Sequence, residues 1–69
     1  MSTDDEIVSA EQHVRQANEI VARQRQRVLH LDSIGADTLS AKQTLDMFET
    51  NLRIFEGHRD YLKHQREQG

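Results

Sequence analysis

Ile34-Gly35-Ala36-Asp37 separates two stretches of this chain in which apolar residues recur at alternating steps of three and four. That spacing keeps one stripe of an α-helix facing a partner helix. The stripe before the break consists of Ile7, Ala10, Val14, Ala17, Val21, Gln24, Val28 and Leu31. The stripe after it consists of Ala41, Leu45, Phe48, Leu52, Phe55, Arg59 and Leu62. We call these two stripes together the seam, and they predict two long helices.

The predicted ends of the helices carry capping signals. Thr3-Asp4-Asp5-Glu6 fits a capping box, so the first helix is expected to start at Ser2 or Thr3 and to run over about residues 3–33. Gly35 suits the left-handed residue that ends a helix. Asp37 or Thr38 then caps a second helix over about 38–66. The turn over residues 34–37 is short, which makes the helices antiparallel neighbours in one domain over residues 1–69. The predicted fold class is therefore all-α, an antiparallel helical hairpin.

Folding the seam about Gly35 predicts a register in which small residues of the first helix oppose large ones of the second. The expected pairs, from the turn outward, are Leu31 with Thr38, Val28 with Ala41, Gln24 with Leu45, Val21 with Phe48, Ala17 with Leu52, Val14 with Phe55, Ala10 with Arg59 and Ile7 with Leu62.

The composition limits the class of protein. The chain has 69 residues, no cysteine, no proline and a net charge of −3, with 30% charged residues. The absence of cysteine excludes disulfides and thiolate chemistry. The mildly acidic balance gives no reason to expect nucleic acid as a partner, and no apolar run approaches the ~20 residues of a membrane span. The N-terminus is acidic and does not lead into an apolar run, so a cytoplasmic location is expected.

A second group of apolar residues lies outside the seam. Met47, Ile54 and Tyr61 are spaced by sevens on the second helix, and Ile20 flanks the seam of the first. A lone hairpin of this size buries too little surface to be securely stable, and a helix that is apolar on more than one stripe touches more than one neighbour. These four residues are therefore the candidate interface of a homodimer, an antiparallel four-helix bundle with coiled-coil packing. The alternative is that Met47 and Tyr61 only widen the core of a single hairpin.

Two polar residues, Gln24 and Arg59, occupy seam positions where apolar residues belong. Polar seam residues cost stability but can fix register and partner number, so both are candidate register-setting residues. Arg59 either pairs with Glu6 or Glu11 near the open end of the hairpin, or extends past Ala10 into water.

Four histidines raise the possibility of a metal site. The predicted register brings His13 near His58, and Asp60 and His64 share a helix face. The Glu-x-x-His pattern of carboxylate-bridged bundles is absent, so we assign no metal ligand, and whether His13, His58 or His64 binds anything stays open. Nucleophile–base arrangements and phosphate-binding loops are also absent, which argues against an enzyme and leaves no catalytic or cofactor-binding residue to assign.

Part of this pattern resembles a group of small bacterial proteins of unknown function, common in α-proteobacteria and predicted to be helical hairpins. The resemblance in the second half of the chain lies in Gly35-Ala36-Asp37-Thr38, Ala41, Leu45, Phe48-Glu49, Leu52 and His58-Arg59-Asp60-Tyr61-Leu62. In the first half it lies in Gln12-His13-Val14, Ile20, Gln24, Val28 and Leu31. It implies a bacterial cytoplasmic origin and a two-helix fold, and it brings no activity.

Two classes of function remain. The first is a dimeric protein-interaction or regulatory module that docks an unidentified protein partner. The second is a metal- or ligand-responsive helical bundle that uses histidines and carboxylates.

Overall fold

The computed structural model describes residues 3–68, which form two α-helices and no strand. Helix α1 spans Thr3–Ser33 and α2 spans Leu39–Gln68. They pack side by side in a rod of 53 × 15 × 14 Å. The all-α hairpin is confirmed: α1 has the predicted bounds, while α2 begins one residue later and ends two residues later than expected. The alternative start at Ser2 lies outside the described residues.

Gly35 ends α1 through a complete Schellman motif. Its φ of 73° places it in the left-handed region. Its N–H donates to the carbonyl of Asp32 at 3.1 Å, and the N–H of Ala36 donates to the carbonyl of Leu31 at 2.9 Å. These bonds satisfy carbonyls that the end of the helix leaves without an intrahelical partner. The predicted role of Gly35 is confirmed.

Asp37 caps the start of α2. Its Oδ1 accepts a hydrogen bond from the backbone N–H of Leu39 at 2.9 Å, two residues on, as an N-cap side chain does. The carbonyl of Thr38 accepts from Lys42 at 2.9 Å, which places Thr38 at the first turn. Of the two residues that the sequence allowed as cap, the structure selects Asp37.

The core follows the seam, but unevenly. Its buried residues are Ile7, Ala10, Val14, Ala17, Val21, Ala41 and Leu62. Between Ala41 and Leu62, the larger seam residues of α2 are only half-buried. They are Leu45, Phe48, Leu52 and Phe55. Small α1 residues are covered completely by one neighbouring helix, whereas a side chain as large as Phe extends beyond the width of a two-helix contact. The hairpin therefore leaves part of its own core open to solvent.

Contacts along the rod agree with the predicted register. At the open end, Ile7, Ala10 and Leu62 form one buried cluster. Midway, the rings of His13 and Phe55 lie 5.4 Å apart, next to the predicted pair of Val14 and Phe55. The helices are thus antiparallel over their whole length.

Gly57 lies inside α2, where glycine lowers helix stability. A Cβ placed on it would meet no atom within 4 Å, so this glycine does not serve a close approach of α1. Within the hairpin it is a tolerated defect of the helix.

We predict that the two glycines respond to alanine with opposite signs. Gly35→Ala should lower the free energy of unfolding by about 1 kcal/mol, because a Cβ strains the left-handed conformation. Gly57→Ala should raise it by about 0.5–1 kcal/mol, because alanine favours a helix. Both sites have free space for a methyl group, so packing does not obscure the comparison. Urea denaturation followed by circular dichroism measures both free energies of unfolding. Changes of the same sign in the two variants would contradict the roles of Gly35 as a helix terminator and of Gly57 as a helix defect.

Candidate interaction surface

Three large apolar side chains stand in solvent along one face of α2. Met47, Ile54 and Tyr61 are 65%, 62% and 58% exposed. Seven residues are close to two helical turns, so the three lie one above another in a line, which we call the outer stripe. The Tyr61 hydroxyl accepts a hydrogen bond from Gln65 Nε2 at 2.8 Å, so the polar tip of the stripe has a partner on its own helix. The structure thus brings the three predicted α2 residues together on an open face.

An apolar groove adjoins the outer stripe. It has a volume of about 250 Å³ and runs between the helices. Its lining residues are His13, Gln16, Ala17, Ile20, Phe48, Asn51 and Phe55. Asn51 connects the groove to the outer stripe, because it lies one helical turn after Met47 and one helical turn before Ile54 on α2. Ile20, the fourth predicted interface residue, therefore borders the same apolar surface from α1.

The groove itself is not predicted by the sequence pattern. Phe48 and Phe55 were assigned to the seam as core residues, yet their half-buried rings form the floor and wall of this opening. The signal was present in the predicted register, which set large residues opposite small ones on a hairpin only two helices wide. His13 stands at the same opening, against Phe55.

The opposite edge of the hairpin carries charges instead. Lys63 Nζ lies 3.1 Å from Glu11 Oε2, and Arg25 Nη2 lies 3.6 Å from Glu49 Oε1. By helical spacing, these four residues flank the seam on the side away from Ile20 and Asn51. We call this side the charged edge.

The two edges of the hairpin differ because the groove side carries the apolar patch around Ile20, Phe48 and Phe55. Charged residues lie at both ends of this patch: Arg23 and Arg27 towards the turn, Asp5 and Glu6 towards the open end.

The accessible surface is large for a chain of this mass. It measures 5247 Å² for 8.0 kDa. A compact monomer of that mass exposes about 4,450 Å². The excess is about 800 Å², which is close to what each partner buries in an average stable protein–protein interface.

Gln24, the first polar residue of the seam, joins the two helices. Its Nε2 donates a hydrogen bond of 2.9 Å to the backbone carbonyl of Ala41 on α2, in a half-buried position. A carbonyl oxygen has two lone pairs, so Ala41 can accept this bond together with its intrahelical one. The bond ties one side chain of α1 to one level of α2, which is the contact that a register-setting residue requires.

Arg59, the second polar seam residue, has its partner on its own helix. Its Nε donates to Asp60 Oδ1 at 2.9 Å, so the ion pair seen here is not the expected one with Glu6 or Glu11. This hydrogen bond raises the pKa of Arg59 above its ordinary value, with smaller contributions from the charges of Asp60, Glu56 and Glu11. The Arg59 side chain is 27% exposed and that of Asp60 is 65% exposed, so Arg59 is mostly covered and the alternative in which it extends past Ala10 into water is not shown either.

The histidines do not form a metal centre within the hairpin. His13 and His58 line a shared groove with Glu6 and Asp5, as the predicted register implied. Nowhere among residues 3–68 do three or more His, Asp or Glu side chains come together in an arrangement that could hold a metal ion.

Comparison with protein-family models, with curated proteins and with solved structures finds no match for this chain. The resemblance to α-proteobacterial hairpin proteins therefore stays a prediction. Over the described residues, neither helix combines the length and the apolar character needed to cross a membrane.

We predict that Gln24→Glu destabilises the hairpin by about 1–2 kcal/mol at pH 7, because the donor is lost and a carboxylate faces the Ala41 carbonyl. The carboxyl should have a raised pKa in the folded state. The loss should therefore be full at neutral pH and should diminish as the pH falls through that raised value towards the unfolded value of about 4.3.

The matched control for this change is Gln26→Glu, which introduces the same charge at an exposed position of α1. It should leave the free energy of unfolding within about 0.5 kcal/mol of the parent. Denaturation at pH 7 and pH 4 measures both variants. Equal stability of the two at pH 7 would contradict the role of Gln24.

We predict that Arg59→Leu raises the thermal midpoint by a few degrees and leaves the oligomeric state unchanged, because leucine fills the seam position and Asp60 stays hydrated. Arg53→Leu, on the exposed face of α2, should leave the midpoint unchanged. Scanning calorimetry and light scattering measure the two effects. A changed oligomeric state in Arg59→Leu would support the role in setting partner number that the sequence predicts for Arg59.

Proposed function

We propose that this protein is a small, non-catalytic interaction or regulatory module that acts as a homodimer. Two hairpins associate through their outer stripes and grooves into an antiparallel four-helix bundle. The observation that carries the proposal is the exposed outer stripe with the apolar groove beside it, on a hairpin whose accessible surface exceeds that of a compact chain of its mass by about 800 Å².

The half-open core supports the same proposal. Phe48 and Phe55 are buried on the side of α1 and open on the groove side. Covering them with a second hairpin would remove apolar surface from water at about 25 cal/mol per Å². A small single-layer hairpin gains from this more than a large domain would, because its own core is so limited.

The module would work in the bacterial cytoplasm, as the resemblance implies. The net charge of −3 and the mixed charges of the surface favour a protein partner over nucleic acid or a membrane. In the dimer the charged edge of each hairpin stays accessible and is the surface on which an unidentified protein partner would dock. We do not extend the proposal to a metal-responsive bundle, since no set of ligands in residues 3–68 favours it.

We predict that Ile54→Glu converts the dimer into a folded monomer, because association would bury a carboxylate from each copy. The dissociation constant should rise at least about 100-fold, which corresponds to roughly 3 kcal/mol. Sedimentation velocity at micromolar concentrations measures the dissociation constant, and circular dichroism measures the helix content.

The matched control is Leu29→Glu. Leu29 is 61% exposed, like Ile54, but it lies on α1 on the side of the seam away from Ile20. This variant should dimerise like the parent. A parent chain that is monomeric and fully helical at tens of micromolar would overturn the proposal.

A further inference from the structure

We propose that the two-fold axis of this dimer passes beside Ile54, so that α2 of one copy packs antiparallel on α2 of the other. Met47 of each copy then lies against the partner's Tyr61. This inference rests on the proposed homodimer and deepens it by naming the pairing of its central helices.

The first support is the symmetry of the outer stripe. In a two-fold interface the same patch serves both copies. If one residue of the first copy contacts a different residue of the second copy, the reverse contact also forms. Met47 and Tyr61 are each seven residues from Ile54, or about 10.5 Å along the helix. An antiparallel pair centred on Ile54 therefore sets all three apolar side chains of one copy opposite the three of the other.

The second support is the position of Ile54 in its helix. Helix α2 spans Leu39–Gln68, and Ile54 lies at its middle. An axis at this point overlaps the two helices along their full length. A rod 53 Å long and about 15 Å wide needs this overlap to bury an area of the size of its surface excess, because any shifted pairing leaves both ends uncovered.

The third support is the absence of charge within the patch. Between the members of the outer stripe lie Thr50, Asn51, Gly57 and His58 on the same face, and none of these is Asp, Glu, Lys or Arg. In a two-fold interface the same patch faces its own copy, so a patch carrying charges of one sign would repel itself, whereas a patch without such charges does not. The cores of protein interfaces are depleted of charge in the same way.

The antiparallel direction of the two α2 helices is favoured by the side chains that it brings together. Antiparallel pairing sets the Met47 sulfur against an aromatic ring twice per dimer, which is a favourable contact. It also opposes the dipoles of the two α2 helices, which parallel pairing would align unfavourably. Ile20 lines the groove together with Asn51, and Asn51 lies one helical turn from Met47, so the partner's Tyr61, packed against Met47, lies next to the groove that Ile20 borders. This placement explains why the exposed Ile20 belongs to the same surface.

The chain has no cysteine, so single cysteines can report the pairing. A disulfide needs Cα atoms about 4.4–6.8 Å apart. Ile54→Cys lies on the proposed axis and should cross-link with its own copy under mild oxidation. Met47→Cys and Tyr61→Cys should each fail to do so alone, because two copies of either residue lie about 21 Å apart along the axis. Mixed together, these two variants should form the mixed disulfide.

Mass spectrometry distinguishes the mixed disulfide from either homodimer, because the two variants differ in mass. The mixture should cross-link at least about tenfold more than either variant alone, given the geometric limit on disulfides. Leu29→Cys is the control for random collision and should match the low background. Circular dichroism confirms that each exposed substitution leaves the helices intact.

Two results would overturn the inference and leave the proposed function standing. One is a parent dimer by light scattering in which Met47→Cys cross-links with itself, since this shows parallel helices. The other is a parent dimer in which Ile54→Cys stays at the Leu29→Cys background. A monomeric parent with no cross-linking above background would overturn both.

Discussion

The contact between small residues of α1 and large residues of α2 is the interaction on which the rest of this structure depends. Ala10 and Ala17 let the second helix come close, and the space they leave is filled by side chains from the other side of the seam. Such a contact buries the small side chain completely and the large side chain only in part. The open rings of Phe48 and Phe55 and the groove that they line are consequences of this single asymmetry. The large total surface follows from the elongated shape of the hairpin.

Most of the fold was predictable from the sequence, because helix periodicity and capping act over a few neighbouring residues. The end of α1 at Gly35 and the cap at Asp37 follow from local backbone chemistry, and the structure shows both. The outer stripe was also predictable, since a spacing of seven places its residues on one face. The groove was not, because it depends on how far a phenylalanine ring extends past a neighbour, and periodicity contains no information on that distance.

The two polar seam residues show where local reasoning ends. Both interrupt the same apolar pattern, but Gln24 reaches across to the backbone of Ala41, while Arg59 turns to the adjacent Asp60. A side-chain amide is short and half-buried here, so its best partner lies on the facing helix. The Arg59 side chain is long enough for its guanidinium to turn away from α1, and it pairs with the exposed carboxylate of the next residue. The choice of partner depends on side-chain length and depth, which the seam pattern does not encode.

The two unlike edges of the hairpin have a consequence for how the protein responds to its ionic surroundings. The pairs of Glu11 with Lys63 and of Arg25 with Glu49 are exposed enough to be screened by added salt, which weakens the electrostatic attraction between α1 and α2. Burial of the apolar face is not weakened in this way, and salts such as sulfate strengthen it. Ionic strength therefore acts in opposite directions on the cohesion of one hairpin and on the burial of its apolar face, and in the proposed homodimer high sulfate would shift stabilisation from the charged edge to the contact between the two copies.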